Sequence, residues 1–92
     1  MPNFLSETEE AIRKAGYSPD RIRRIGSWRT RENTPWPEFR KSADFDYDPE
    51  ADPPVIPHDL AIEFDDGSAL RRDSIEFYDY WNHWRADELT SR

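Results

Sequence analysis

The chain of 92 residues carries a formal net charge of −7, and 36% of its residues are charged against 35% that are hydrophobic. This length allows one small domain with a modest core, the lack of cysteine excludes disulfides and thiolate zinc sites, and no apolar run reaches membrane length. Four Trp, four Tyr and five Phe supply large apolar side chains, so we expect a folded, aromatic-rich domain.

Basic and acidic residues are segregated along the chain. Residues 1–41 carry nine basic and six acidic side chains, whereas residues 42–92 carry four basic and fourteen acidic ones. Nine acids and no Lys or Arg lie between Asp44 and Asp66. Such a surface repels nucleic acid and attracts basic protein surfaces. We therefore expect no direct nucleic-acid binding, and instead a partner that handles nucleic acid.

The helical and basic part is expected over residues 1–43. Ser6 as N-cap and Glu9 three residues later form a capping box, which predicts a helix over about 7–15. A short strand is expected over about 22–28. A second short helix over 35–42, begun by Thr34-Pro35-Trp36-Pro37, would bury Trp36, Phe39 and Ala43.

An acidic, proline-rich loop is expected over residues 44–59. It begins with the stretch DFDYDPEAD, in which every second residue from Asp44 to Asp52 is acidic. Four of the eight prolines then fall between Pro49 and Pro57, which excludes a helix or a central strand there.

A β-hairpin or meander is expected over residues 60–86. Leu60, Ile62 and Phe64 alternate with other residues, and Asp66-Gly67 is a hairpin turn dipeptide. The return strand would cover about 69–76, a turn would fall at 77–79, and a third strand would begin at residue 80. A C-terminal helix over 77–89 is the alternative, and residues 87–92 are expected to fray. The predicted fold is α+β: one or two N-terminal helices on a three- to four-stranded antiparallel meander.

The block DLAIEFDDGSALRRDSIEFYDYWNHW, with WPEF and ADFDYD before it, resembles small acidic, Trp-rich proteins of phages and other mobile elements. The shared features are a strand opening with Asp-Leu, a DDGS hairpin with a basic second strand, and a Trp-rich closing strand. Ala69 departs from the usual aromatic residue. The resemblance implies a mobile-element setting in the cytoplasm of a host bacterium, where small acidic proteins often inhibit defence systems, as anti-CRISPR or anti-restriction proteins do.

Metal-binding and catalytic patterns are weak. Asp44, Asp46 and Asp48 match the first three ligand positions of an EF-hand, but Pro49 stands where the loop needs Gly and Val55 where it needs Glu. The two histidines, His58 and His83, lack the spacing of a metal or catalytic pair. We therefore expect no cofactor, no metal site and no enzymatic activity, with a small metal-binding or hydrolytic protein as a distant alternative.

Polyanion mimicry is the leading hypothesis. Alternate side chains of an extended segment share one face about 7 Å apart, roughly two charge spacings on a DNA strand. We expect a non-enzymatic module whose acids bind the basic surface of a nucleic-acid-handling complex, in the manner of a DNA mimic. The alternative is a solvated acidic loop. The candidate partner-binding residues are Asp44, Asp46, Asp48, Glu50, Asp52, Asp65, Asp66, Trp81 and Trp84.

Two further interactions stay open at this stage. A structural or assembly protein would use the aromatic face formed by the Trp and Tyr residues of YDYWNHW, although core packing explains these aromatics as well. The basic N-terminal half could also pair with the acidic C-terminal half, within one chain or between two copies. No membrane partner is expected.

Overall fold

The protein folds into three helices and one four-stranded antiparallel sheet, described here from a computed structural model over residues 1–30 and 32–90. The sheet is a meander with strand order β1-β2-β3-β4. This confirms the expected α+β class with N-terminal helices. The elements are α1 (Phe4–Lys14), a 3-10 turn (Pro19–Arg21), β1 (Ile22–Ser27), α2 (Trp36–Ala43), β2 (Leu60–Phe64), β3 (Ala69–Ile75), β4 (Tyr78–Trp84) and α3 (Ala86–Thr90).

Helix α1 begins three residues earlier than the capping box predicted. The N-cap is Asn3, whose side-chain oxygen accepts a hydrogen bond from the Ser6 amide at 2.9 Å. Phe4 thereby joins the helix and is buried on the core side. Gly16 follows the helix with φ of +90°, the left-handed conformation that glycine adopts without strain. The predicted C-terminal end of the helix is thus correct, and the predicted N-cap, Ser6, is wrong.

Helix α2 occupies the predicted place. Phe39 and Ala43 are buried and Trp36 is half-buried, with its ring stacked on Phe39 at 5.8 Å between centroids. The helix covers the same face of the sheet as α1. Its Pro35 N-cap lacks a side-chain hydrogen bond, so its position depends on packing more than on capping.

The second hairpin turns one residue earlier than predicted. Glu76 and Phe77 form its two-residue turn, with φ of 50° and 69°, and β4 starts at Tyr78. The residue types at this turn did not predict it, because two-residue hairpin turns usually contain Asn or Gly and this one contains Glu76 and Phe77. The helical alternative for 77–89 is wrong over β4, and helix α3 replaces much of the expected frayed segment 87–92. Residues 91–92 lie outside the described residues.

The core lies between helices α1 and α2 and one face of the sheet. Ile12 and Phe4 of α1 pack over strand residues that are nearly inaccessible, among them Ile62 and Phe64 with 0% exposure. The rest of the core is Ile25, Phe39, Ala43, Tyr47, Ile56, Leu70 and Trp81.

A buried arginine stands in the middle of this aromatic core. The Arg72 side chain has no exposed area, and its guanidinium lies 5.3 Å from the Phe4 ring, 5.7 Å from Tyr47 and 5.1 Å from Trp81. It donates hydrogen bonds to Glu7 at 2.7 Å and to the Tyr47 hydroxyl at 3.0 Å. One cation therefore joins α1, the acidic loop and two strands.

Two polar contacts complete this arrangement. The Trp81 indole donates to the Thr8 hydroxyl at 2.9 Å, and Thr8 donates in turn to the Phe4 carbonyl at 2.7 Å. The Tyr47 hydroxyl also donates to the Glu7 carboxylate. Burial, followed by the negative charge and hydrogen bond of Glu7, raises the pKa of Tyr47 to about 12.

We predict that Arg72→Ala lowers the free energy of unfolding by about 3–5 kcal/mol, because it leaves Glu7 without its cation and opens a cavity among the rings. Urea unfolding followed by Trp fluorescence measures the change. Arg23→Ala, at an exposed position of β1, is the matched control and should stay within about 0.5 kcal/mol of wild type. A loss for Arg72→Ala no larger than that of the control would show that the buried cation does not organise the core.

Candidate partner-binding surface

Five acids of the loop after α2 are exposed together on the surface, and we call this set the acidic ladder. Two of the residues that alternate with them, Tyr47 and Pro49, are buried, so the chain turns inward at these positions while the carboxylates face outward. The acidic ladder consists of Asp44, Asp46, Asp48, Glu50 and Asp52.

The start of the acidic ladder is fixed against the N-terminus of α1. Asp46 forms an isolated antiparallel bridge with Asn3, and the Asn3 amide donates to the Asp44 carboxylate at 3.0 Å. Tyr47 reaches into the core beside Arg72. Phe45 remains 37% exposed, with its ring 5.7 Å from that of Phe4.

The acidic ladder is not extended over its whole length. A turn follows Asp48, whose carboxylate accepts from the Glu50 amide at 2.9 Å and whose carbonyl accepts from Ala51 at 3.2 Å. The chain also turns at Asp44, which has φ of −80° and ψ of 75°, and the Phe45 amide donates to the Ala43 carbonyl at 2.9 Å. The regular spacing of about 7 Å expected for an extended segment therefore does not hold along the ladder. Side chains of Asp and Asn favour such turns, and this preference outweighed the alternating pattern at Asp48.

Among the residues that the structure describes, ion pairs with basic side chains involve about half of the acids outside the ladder and none of the ladder acids. Within residues 1–30 and 32–90, none of the ladder carboxylates lies in an ion pair with Lys or Arg. Arg24 by contrast pairs with Glu63 at 2.8 Å, and Arg72 with Glu7 at 2.7 Å. The acids that pair with a Lys, Arg or His side chain are Glu7, Glu10, Glu63, Asp65, Asp79, Asp87 and Glu88.

Asp65 and Asp66, the other predicted binding acids, make contacts within the chain. Arg21 donates two hydrogen bonds to one Asp65 oxygen, at 2.8 and 3.1 Å. The Tyr17 hydroxyl donates to Asp66, and the Ser68 amide donates to the same carboxylate at 2.9 Å. Both acids therefore hold the β2–β3 turn in place, and the basic N-terminal half pairs with the acidic half inside one chain at Arg21 and Arg24. Arg31, of the same basic cluster, lies outside the described residues.

Tyr17 links this turn to the core. Its ring stacks on Phe64 at 4.0 Å between centroids and 7° between planes. The hydrogen bond that Tyr17 donates, followed by those from Ser68, lowers the pKa of Asp66 to about 2. The same contact with Asp66 raises the pKa of Tyr17.

The two predicted tryptophans lie in different environments. Trp81 is 9% exposed and stacks on Phe4 at 5.9 Å, so it is a core residue in this fold. Trp84 is half-buried on the opposite face of the sheet, where it borders a shallow cleft of about 150 Å³ with Trp28 and Arg71. Only Trp84 is placed where a partner can reach it.

One buried acid escaped the sequence reasoning. Asp79 is 3% exposed, and one of its oxygens lies 2.9 Å from Nε2 of His58. The alternation of Asp79, Trp81 and His83 along β4 could have predicted that Asp79 is buried. It was missed because residue 79 was assigned to a turn. In the described part of the chain, no three His, Asp or Glu side chains are grouped to hold a metal ion.

No family model, curated protein or solved structure matches this chain. Over the same described residues, no helix is both long and apolar enough to cross a membrane.

We predict that Tyr17→Phe raises the pKa of Asp66 from about 2 toward its ordinary value of 3.8. A carboxylate with a lowered folded-state pKa stabilises the fold above its unfolded-state pKa and loses that effect as the pH falls toward 2. The variant should thus be less stable than wild type at pH 7, and the difference should shrink between pH 4 and 2. Side-chain ¹³C NMR titration and urea unfolding measure both effects. An Asp66 pKa that does not change in Tyr17→Phe would contradict this account.

Proposed function

We propose that the protein is a non-enzymatic binding module whose acidic ladder docks on a basic protein surface. One observation carries the proposal: the five ladder acids are exposed and free of Lys or Arg partners in the described residues, while most acids elsewhere in the sheet and α1 are paired. A concentration of unpaired carboxylates repels itself in the free protein, and a basic partner relieves that repulsion.

The fold also supports the surface mechanically. Tyr47 and Pro49 are buried on the inner side of the loop, and the Tyr47 amide donates to the Pro2 carbonyl at 3.0 Å. The carboxylates are therefore displayed on a fixed backbone, at least from Asp44 to Asp48. Such preorganisation lowers the entropy lost on binding.

The finer form of the proposal is an inhibitor that occupies the nucleic-acid-binding surface of a host defence complex, as an anti-CRISPR or anti-restriction protein does. Its support is the acidic surface together with the resemblance to mobile-element proteins. Asp44, Asp46 and Asp48 would take the place of phosphates, and the turns at Asp44 and after Asp48 give these charges an irregular spacing that differs from that of a DNA strand.

We predict that neutralising the acidic ladder abolishes capture of nucleic-acid-binding proteins from bacterial lysate at low salt. The variant is Asp44→Asn, Asp46→Asn, Asp48→Asn, Glu50→Gln and Asp52→Asn, which keeps the acceptor oxygen that caps the turn. Each captured protein is then bound to fluorescently labelled duplex DNA. A fall in fluorescence anisotropy on addition of the wild-type protein or the variant measures displacement of the DNA. Wild type should displace DNA, and both effects should weaken steeply with salt.

The matched control removes five exposed acids elsewhere and has the same net charge. It combines Glu9→Gln, Glu32→Gln, Glu38→Gln, Glu76→Gln and Asp87→Asn. It should bind like wild type if position matters. An equal loss of partner binding in both variants would show that net charge alone decides binding. Equal binding by wild type and both variants would overturn the proposal.

The aromatic sheet face supports a second candidate, a structural or assembly role. Trp28 is 41% exposed, and the guanidinium of Arg71 lies 5.1 Å from its ring beside Trp84. Trp and Arg are enriched among residues that dominate interfaces. Binding that resists salt and the loss of the acidic ladder, but disappears in Trp84→Ala, would assign the function to this face.

A further inference from the structure

Strand β4 is an edge strand whose outer side is partly open. The two-residue turn pairs Ile75 with Tyr78, so Tyr78, Tyr80 and Asn82 direct their backbone groups toward β3. The alternate residues of β4 direct theirs outward. The amide of Asp79 shows this orientation, since it donates to the Pro49 carbonyl of the acidic loop at 2.9 Å.

Both ends of this outer edge are covered, and its middle is not. The Pro49 carbonyl covers Asp79, and beyond the strand the Arg85 amide donates to the Glu88 carboxylate at 2.8 Å. Between them, the outward backbone groups of Trp81 and His83 have no hydrogen-bond partner among the described residues. An unpaired edge of this kind accepts an added strand.

A cleft of about 650 Å³ runs along the open edge. One wall is the flank of α1 and the other is β4, so an added strand would lie between the two. The volume is that of a small-ligand or peptide site. The α1 wall contributes Ser6, Glu7, Glu10, Ala11 and Lys14.

Two buried polar atoms on β4, which lines the cleft, lack partners. Asp79 is 3% exposed, and its second oxygen, Oδ2, has no hydrogen bond among the described residues; Nε2 of His83 is in the same state. The two residues lie on one face of β4, roughly 13 Å apart along the strand. A buried carboxylate oxygen without a donor is costly, and a cationic N–H group satisfies it best.

We propose that this cleft binds an extended, arginine-containing segment, which adds to β4 as a fifth strand and directs an arginine to Oδ2 of Asp79. The acids of the α1 wall are already matched, Glu7 by Arg72 at 2.7 Å and Glu10 by Lys14 at 3.4 Å, so the unpartnered Oδ2 of Asp79 is the atom that selects a cation. The cleft also adjoins the acidic ladder, because Asn3 lines it and bridges to Asp46. The inference rests on the proposed function, because the arginine-containing segment is assumed to belong to the same basic partner that binds the acidic ladder.

The probe is the peptide acetyl-Thr-Val-Arg-Val-Arg-Val-Thr-amide, titrated into ¹⁵N-labelled protein. We expect the amide signals of Trp81 and His83 to shift and their hydrogen exchange to slow. A peptide with citrulline in place of arginine should bind roughly ten-fold more weakly, because it loses the charge-assisted hydrogen bond. A peptide N-methylated at alternate residues keeps its charge but should not bind, because it cannot pair with the edge.

Two protein variants test the cleft itself. Asp79→Asn should remove the preference for arginine over citrulline, and Glu10→Lys, at an exposed position, should weaken binding without disturbing the core. Peptide shifts confined to residues 44–52, or equal binding of the N-methylated peptide, would overturn the inference and leave the proposed function standing. Concentration-dependent dimerisation through Trp81 and His83 without peptide would also overturn it, by assigning the edge to a second copy.

The ladder-neutralised variant separates the two proposals. It should still bind the peptide at Trp81 and His83, although the smaller negative charge weakens the attraction. If lysate capture survives neutralisation while the peptide still maps to the edge, the proposed function fails and the cleft remains a binding site.

Discussion

The buried guanidinium of Arg72 is the contact on which the other parts of the structure depend. It lies among the rings of Phe4, Tyr47 and Trp81 and binds the carboxylate of Glu7. A domain of this size has little apolar surface to bury. The Arg72 cation holds the aromatic rings together in the core, because it attracts their faces and neutralises the carboxylate of Glu7 in α1. The same contact fixes Tyr47, and through it the start of the acidic loop.

This arrangement sorts the acids of the chain into two groups. Several acids of the sheet, its turns and α1 are matched by a basic or hydroxyl group, as Asp65 is by Arg21 and Asp66 by Tyr17. The ladder acids follow α2 on the outer side of a loop whose inner side is anchored by Tyr47 and Pro49. Two ladder carboxylates accept hydrogen bonds within the fold, Asp44 from Asn3 and Asp48 from the Glu50 amide, but none pairs with Lys or Arg among the described residues, and we propose that the ladder charges meet a partner. The open edge of β4 lies next to them, so one basic partner can use both.

The sequence predicted the elements that depend on local signals. Gly16 ended α1 and Asp66-Gly67 turned the first hairpin, as their backbone preferences require. It failed where long-range contacts decided the outcome. Asn3 replaced Ser6 as N-cap because Phe4 packs into the core, and the turn at Glu76 and Phe77 carries no turn residue. Of the candidate site, the sequence located the ladder acids in a proline-rich loop, and their exposure required the structure. The buried Asp79, the open edge and the role of Arg72 required the three-dimensional pairing of the strands.

We propose that the ladder acids bind a partner, whereas Asp65 and Asp66 stabilise the fold. Urea unfolding at low ionic strength tests this directly, because urea leaves charge interactions unscreened. We expect the ladder-neutralised protein to be at least as stable as wild type, since repulsion is relieved and Asp44 no longer places a negative charge at the C-terminus of α2. The double variant Asp65→Asn, Asp66→Asn should be less stable. A ladder variant that loses as much stability as the double variant would show that the ladder is structural and would contradict the account.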